Sequence, residues 1–250
     1  MKRILTGAML LLLSCFTIQQ GRASEAPHDH FSAILARVVD ADTGWVDYTT
    51  LRKLDGELEE YLAELRGIHP KTLPTKGAQL AYFLNLYNAL VLKGVLDHWP
   101  VKSVLHDFKD NAFFEQFTHE TALGKITLNH LEHEVIRKRF KDPRVHFALN
   151  CASKGCPPLH RAAFTADGLN TQLDSVCSAF VNDPHRTHLD FKKGRASISA
   201  LFQWYAEDFE ESGGALGFIA RYHKGGDKGH IRELTVEHQD YDWSLNSLGD

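Results

Sequence analysis

Cysteine is scarce in this sequence. The 250 residues contain four cysteines, far fewer than the disulfide scaffold of a small secreted domain requires. The core must therefore be held by packing of apolar side chains. Apolar residues make up 43% and charged residues 24% of the chain, which is typical of an ordinary globular domain and not of a disordered segment.

The sequence also lacks a surplus of positive charge. Its 28 Lys and Arg residues are outnumbered by 32 Asp and Glu residues, which gives a net charge of −4 at pH 7. Without an excess of basic side chains to hold phosphate groups, nucleic acid is not expected as a partner. The sequence contains no phosphate-binding loop, dinucleotide-binding fingerprint or serine-centred elbow, so no cofactor is predicted.

Long apolar runs are missing except near the start of the chain. The run at residues 4–16 is shorter than the about 20 residues needed to cross a bilayer. Two basic residues precede it, and the small residues Gly21 and Ala23 follow it, as in a secretory signal peptide. We therefore expect residues 1–23 to be removed. The mature protein should be exported, periplasmic or secreted, without a transmembrane segment.

Two alternatives remain for the processing of this segment. One alternative is cleavage after Ala26, where Ser24 and Ala26 are the small residues. The other is lipoprotein processing at Cys15, which is preceded by Leu12-Leu13-Ser14. Leu13 fits the lipoprotein pattern weakly, so we rank that alternative second. Cleavage after Ala23 leaves an odd number of cysteines, which predicts one bridge and one free or buried thiol. These cysteines are Cys151, Cys156 and Cys177.

The remaining chain is predicted to form one α+β domain. About 225 residues suit a single large domain, with residues 24–44 as an N-terminal segment and residues 45–250 as the domain itself. Residues 31–68 carry apolar side chains at helical spacing. Residues 78–96 are apolar on nearly every side, so we expect a buried central helix packed on a small sheet.

Two amides are candidates for a buried polar site. Asn85 and Asn88 are three residues apart on the central helix, so they share one of its faces. Buried amides must find hydrogen-bond partners. We expect them to face Glu132 or the loop at residues 151–156. They either brace neighbouring backbone or take part in a site.

Residues 127–140 form a second predicted helix, capped by Thr127. Its apolar stripe includes the position of Glu132 and has His133 at its edge, and a carboxylate inside a core is costly unless it is paired. His130 falls on the solvated side. The zinc-protease motif is excluded, because it needs two histidines four residues apart with Glu directly after the first.

Residues 144–150 alternate between apolar and other side chains, which predicts a β-strand of the small sheet. Its apolar face consists of Val145, Phe147 and Leu149. His146 falls on the other face. Gly155 and two prolines after the strand predict a tight loop at residues 151–156, in a position where proteins commonly carry chemistry.

Later segments are predicted from the same patterns. A helix is expected at residues 169–181. Two short strands are expected at residues 187–191 and 195–198, and a further helix at residues 200–209.

Several of these strings resemble the domain-of-unknown-function family numbered 547. They are Phe83-Leu-Asn85-Leu-Tyr87-Asn88-Ala-Leu, Leu131-Glu132-His133, Arg144-Val-His146-Phe-Ala-Leu-Asn150-Cys151-Ala-Ser-Lys-Gly-Cys156-Pro-Pro, Trp204-Tyr205-Ala-Glu207-Asp208-Phe209 and Tyr241-Asp-Trp-Ser-Leu-Asn246. The resemblance runs from about Val46 to Asn246. It implies no established reaction. The chain departs from it at Ala152, where Gly is usual and little effect is expected, and at Gly155, where Ser is common.

One hypothesis is a thiol-dependent hydrolase or transferase acting on an amide or peptide-like envelope substrate. Cys151 or Cys156 would be the nucleophile, since a thiolate attacks while a nearby imidazole takes its proton. His146 falls on the strand face opposite Cys151, so His133 is the better base. Because adjacent helical residues point about 100° apart, Glu132 cannot easily orient His133. The orienting group would then be Asn85 or Asn88.

The alternative is a non-catalytic binding or structural module with a Cys151–Cys156 disulfide, which the five-residue separation and an oxidising compartment both permit. Its partner would be an envelope or extracellular ligand that the sequence does not identify. A third interpretation places a metal on His130, His133 and His146 with a cysteine. It is disfavoured because His130 and His146 are predicted on separate faces. The sequence does not fix the oligomeric state.

Overall fold

The computed structural model describes residues 26–225 and 228–249. The predicted signal peptide and the lipoprotein alternative at Cys15 lie outside these ranges. Within them, no helix is long and apolar enough to cross a membrane. Helix amounts to 52% and strand to 12%, with the strands in two small sheets, so the predicted α+β class is confirmed.

The N-terminal part is a layer of helices around one long helix. Their bounds are α1 at His28–Val38, α2 at Tyr48–Lys53, α3 at Asp55–Arg66 and α4 at Lys76–Asp97. A 3-10 turn at Pro70–Thr72 precedes α4. Helix α4 begins where the Thr75 hydroxyl accepts the Ala78 N–H at 3.0 Å, as an N-cap does. Sixteen of its 22 residues are buried, so the predicted central helix is confirmed.

A hairpin and a widened helix follow. The bounds are α5 at Ala112–Glu115, β1 at Thr118–Thr121, β2 at Gly124–Thr127, a π-helix at His130–Arg137 and α6 at Lys138–Phe140. Strands β1 and β2 pair antiparallel. The helix predicted at residues 127–140 is confirmed. The Thr127 hydroxyl accepts the His130 N–H at 3.1 Å, as expected of its cap.

The strand predicted at residues 144–150 is wrong. Pro143–Phe147 is a 3-10 helix that begins at Asp142, whose carboxylate accepts the Arg144 N–H at 3.0 Å. In a strand Val145 and Phe147 would share a face. Here Val145 packs into the N-terminal core and Phe147 into a second, C-terminal core. The alternation therefore reflects a segment that bridges two cores, and not one side of a sheet.

The C-terminal part surrounds that second core. Its elements are α7 at Leu169–Val181, β3 at Thr187–Asp190, β4 at Arg195–Ser199, α8 at Leu201–Trp204, a 3-10 helix at Ala206–Ser212, α9 at Gly214–Tyr222, α10 at Lys228–Ile231 and β5 at Thr235–Gln239. The sheet order is β3-β4-β5, antiparallel and then parallel. The predicted helix at 169–181 and both short strands are confirmed. The helix predicted at 200–209 is interrupted at Tyr205.

The end of the described chain returns to the N-terminal part. Val46 donates its N–H to the Asn246 carbonyl at 2.8 Å, and the Tyr48 hydroxyl donates to the Asn246 side chain at 2.8 Å. Ser153 and Leu245 form an isolated antiparallel β-bridge. Residues 241–249, the closing segment, therefore fix the position of the loop at residues 151–156 against the helical layer.

Candidate active site or binding pocket

Five of the seven candidate residues line one cavity of about 350 Å³. They are Glu132, His133, His146, Cys151 and Cys156. The cavity lies where the π-helix, the 3-10 helix Pro143–Phe147, the cysteine loop and the closing segment meet. These residues come from separate stretches of the chain, and the fold brings them together around one cavity.

The two loop cysteines are bonded to each other, with the sulfurs 2.16 Å apart. The Cys151 N–H also lies 2.8 Å from Cys156 Sγ. Cys177 is a buried free thiol, and burial raises its pKa. The predicted pattern of one bridge and one buried thiol is thus confirmed for the described residues.

The backbone of the cysteine loop is held by an amide directly before it. Asn150 accepts the Ala152 N–H at 2.9 Å and donates to the Pro157 carbonyl at 2.8 Å. Cys151 Sγ lies 3.1 Å from the Ser153 hydroxyl and 3.4 Å from the Tyr241 hydroxyl. Burial is the main cause that raises the pKa of Tyr241 to about 12, so this phenol stays protonated at neutral pH.

The structure shows the surroundings of Ala152 and Gly155, the two positions at which the chain departs from the resemblance noted above. Ala152 has a φ of 63°, a left-handed conformation that costs a non-glycine residue about 1–2 kcal/mol. Its methyl group is fully buried, which returns about 0.8 kcal/mol, so the net effect is small. At Gly155 an added Cβ would lie 2.8 Å from the Tyr241 ring. The glycine therefore allows Tyr241 to close on the loop.

Glu132 and His133 are adjacent, yet both line the cavity. They lie on the π-helix His130–Arg137, which has more residues per turn than an α-helix, so neighbouring side chains diverge less. The expectation that they would point apart rested on α-helical geometry. Short π-helical segments are frequent at functional sites.

Glu132 is a nearly buried carboxylate with phenol partners. It is 9% exposed, and its Oε1 accepts the Tyr205 hydroxyl at 2.5 Å. Burial first, and the negative charge of Glu132 second, raise the pKa of both Tyr87 and Tyr205. Both phenols therefore remain protonated and able to donate hydrogen bonds.

His133 is tied to a cation on its own helix. The Arg137 guanidinium donates to His133 Nδ1 at 2.6 Å, so this nitrogen is an acceptor and the ring proton is on Nε2. The guanidinium also lies over the Tyr205 ring, 4.9 Å from its centroid. His133 is therefore oriented by Arg137, and neither Asn85 nor Asn88 has that role.

His146 is closed off from solvent, and its side chain is 1% exposed. Its ring stacks on Tyr205 at 3.9 Å, and its Nε2 lies 2.6 Å from Asp208 Oδ2. Asp208 also accepts two hydrogen bonds from Arg137, at 2.7 and 3.0 Å. The hydrogen bond from His146 is the main cause that holds the pKa of Asp208 well below its usual range, and the hydrogen bond from Arg137 adds to it. His146 and Cys151 line the same cavity, so the expectation that they face apart is wrong, because it depended on the strand.

The two amides are buried, as predicted, but brace backbone. Asn85 donates to the Phe164 carbonyl at 2.8 Å and accepts the Phe164 N–H at 2.9 Å. Asn88 donates to the Ala148 carbonyl and accepts the Asn150 N–H, both at 2.9 Å. Asn88 thus supports the start of the cysteine loop, whereas Asn85 supports a segment outside the cavity.

The third interpretation, a metal held by histidines and a cysteine, has no support. His130 is exposed, and both loop cysteines are bonded to each other. Across residues 26–225 and 228–249 no three His, Cys, Asp or Glu side chains are grouped so that they could hold a metal ion.

Sequence reasoning missed several residues of the site. Asp208 and Arg137 orient the two histidines, and the aromatic wall was not anticipated. That wall consists of Trp204, Tyr205, Tyr241 and Trp243. The wall and Asp208 lie in two strings that carried the family resemblance, which was the signal that could have found them.

These features define an α+β protein with an aromatic, carboxylate-bearing cavity beside a disulfide. Residues 70–181 match the model of a family described as a protein of unknown function, DUF547. The resemblance to this family is therefore confirmed over that range, which includes α4, the π-helix and the cysteine loop. No curated protein and no solved structure matches the chain significantly.

Proposed function

We propose that this chain is an exported binding protein whose ligand occupies the cavity between the π-helix and the cysteine loop. One observation carries the proposal. Glu132, His133, His146 and the bonded cysteines converge on one concave space of about 350 Å³. That volume is within the range of small-molecule sites, which combine apolar walls with a few placed polar groups.

The disulfide acts in this proposal as part of the cavity wall. Because Cys151 and Cys156 are bonded, neither offers a thiol to a substrate. The loop that carries them is held by Asn150 and by Tyr241. A rigid wall lowers the entropy lost when a ligand binds, so the bridge supports binding without chemistry.

Export is the second part of the proposal. A structural disulfide persists in oxidising compartments and is rare in the cytosol, which agrees with the signal pattern at residues 1–23. We predict that N-terminal sequencing of protein isolated from the producing cells finds Ser24 or Pro27 as the first residue. A lipid-modified Cys15 would favour the lipoprotein alternative, and an intact Met1 would contradict export by either route.

A thiol-dependent hydrolase or transferase is the second candidate function, and the surroundings of Cys151 favour it. Its sulfur lies within 3.4 Å of the hydroxyls of both Ser153 and Tyr241, and hydroxyl donors stabilise a thiolate. After an external dithiol has reduced the Cys151–Cys156 bridge, the Cys151 thiolate could attack an amide carbonyl. For this step His133 would exchange the hydrogen bond that Nδ1 accepts from Arg137 for the thiol proton, and would then return that proton to the leaving amine. Water or an amine would then release the acyl group.

The rate of alkylation of Cys151 and Cys156 distinguishes the two functions. Without reductant, we expect iodoacetamide at neutral pH to leave both residues unlabelled, because they have no free thiol. After mild reduction by dithiothreitol, the binding proposal predicts equal labelling rates in the wild type and in His133→Ala. Peptide mass spectrometry measures both rates.

The histidine on the solvent side of the same helix provides the matched control. His130→Ala should label like the wild type under every condition, and Cys177 should stay unlabelled until the protein is denatured. If His133→Ala slows labelling of reduced Cys151 about tenfold while His130→Ala does not, the imidazole activates the thiol. The thiol enzyme would then replace the binding protein as the proposed function.

A further inference from the structure

The mouth of the cavity carries an open aromatic surface. Trp204 is 48% exposed. Large apolar side chains that are exposed to solvent often mark an interaction site. Its ring lies 4.7 Å from Tyr241 and 5.6 Å from Trp243, measured between centroids. The faces of these rings are electron-rich and attract cations.

The charges around the cavity favour the same kind of ligand. Glu132 is the one lining residue with a full negative charge, and no Lys or Arg is among the lining residues that the structure describes. Asp208 is paired with Arg137 outside the lining, and His146 hydrogen-bonds to that pair. Glu132 therefore has no cationic partner among the residues that line the cavity.

One buried acceptor of the lining lacks a hydrogen-bond donor. The Asn111 side-chain oxygen is buried and has no hydrogen-bond partner, while its Nδ2 donates to Glu115 at 2.9 Å. A buried acceptor without a partner is unfavourable. A ligand N–H is the kind of donor that would satisfy this oxygen.

We infer that the ligand is amide- or peptide-like and carries a positively charged amine, which lies between Glu132 and the aromatic surface of Trp204. The inference rests on the proposed binding function and narrows it to a chemical class. The ammonium group pairs with the Glu132 carboxylate and the faces of the rings. The amide part hydrogen-bonds to the polar lining, which includes Asn111 and Asn129.

Two nearly isosteric probes test the inference. Nα-acetyl-lysine amide and Nα-acetyl-norleucine amide share the amide frame and the apolar stem, but only the first carries an amine. We expect the lysine derivative to bind about tenfold more tightly, since a hydrogen bond to a charged group is stronger than a neutral one. Tryptophan fluorescence and calorimetry measure both affinities on the intact, disulfide-bonded protein.

A matched pair of glutamate variants locates the charge. Glu132→Gln should remove the preference for the amine, whereas Glu134→Gln should preserve it. Glu134 is exposed on the same helix and pairs with Lys138, so it controls for the change in net charge. Trp204→Ala should weaken binding of the lysine derivative, and circular dichroism checks that each variant is folded.

The outcomes separate this inference from the function on which it rests. Equal binding of the two probes, or tighter binding of the norleucine derivative, would overturn the charged-amine inference and leave a binding cavity in place. If the folded protein bound neither probe at millimolar concentration, both the inference and the proposed binding function would lose their support. A preference for the amine that survives in Glu132→Gln would place the site elsewhere.

Discussion

Replacing Phe147 by Ala is expected to lower the free energy of unfolding by about 3–5 kcal/mol, as for other fully buried aromatic side chains. The ring is completely buried. It stacks on Phe218 at 5.0 Å and meets Phe180 edge-on at 5.0 Å. Its removal would leave a cavity at the centre of the C-terminal core. Chemical denaturation followed by circular dichroism measures the change.

Phe191 is the control for this substitution. It has the same side chain but is 46% exposed, so Phe191→Ala should change the free energy of unfolding by no more than about 0.5 kcal/mol. A loss below about 1 kcal/mol for Phe147→Ala would mean that the C-terminal core is not packed around this ring. The assignment of Pro143–Phe147 as the link between two cores would then fail.

The same segment shows where prediction from sequence stops. Alternation of apolar residues identifies a strand only when the apolar side chains share one partner surface. Val145 and Phe147 have different partners, and this depends on tertiary packing that no local pattern contains. Helix α4, by contrast, is predictable because apolar side chains occupy nearly every side of it, and no single buried face has to be assigned.

The candidate site divides in a similar way. Glu132 and its neighbour His133 are predictable as site residues because burying an unpaired carboxylate in an apolar stripe is costly. The cysteine loop is predictable because glycine and proline end regular structure. Their common cavity could not be derived, since it depends on π-helical widening and on the 3-10 helix. Asp208 was missed because its partners, Arg137 and His146, are 71 and 62 residues away in sequence.

The second large effect is expected at Asn88. Replacement by Ala leaves the Ala148 carbonyl and the Asn150 N–H without partners. Each unsatisfied buried group costs about 1–3 kcal/mol, so we expect the free energy of unfolding to fall by at least about 2 kcal/mol. Because Asn150 directly precedes the cysteine loop and holds it, the loop should also open locally. Dithiothreitol should then reduce the Cys151–Cys156 bridge faster under native conditions.

Asn85→Ala is the control that distinguishes local opening of the cysteine loop from a global loss of stability. Asn85 lies one turn earlier on the same helix and braces both backbone groups of Phe164, so Asn85→Ala should lose a similar free energy of unfolding. Phe164 does not line the cavity, and the rate of bridge reduction should therefore stay near that of the wild type. Both rates are compared under conditions in which the two variants are almost entirely folded. An equal acceleration in both would indicate that the bridge opens through global unfolding, and that Asn88 does not specifically support the wall of the cavity.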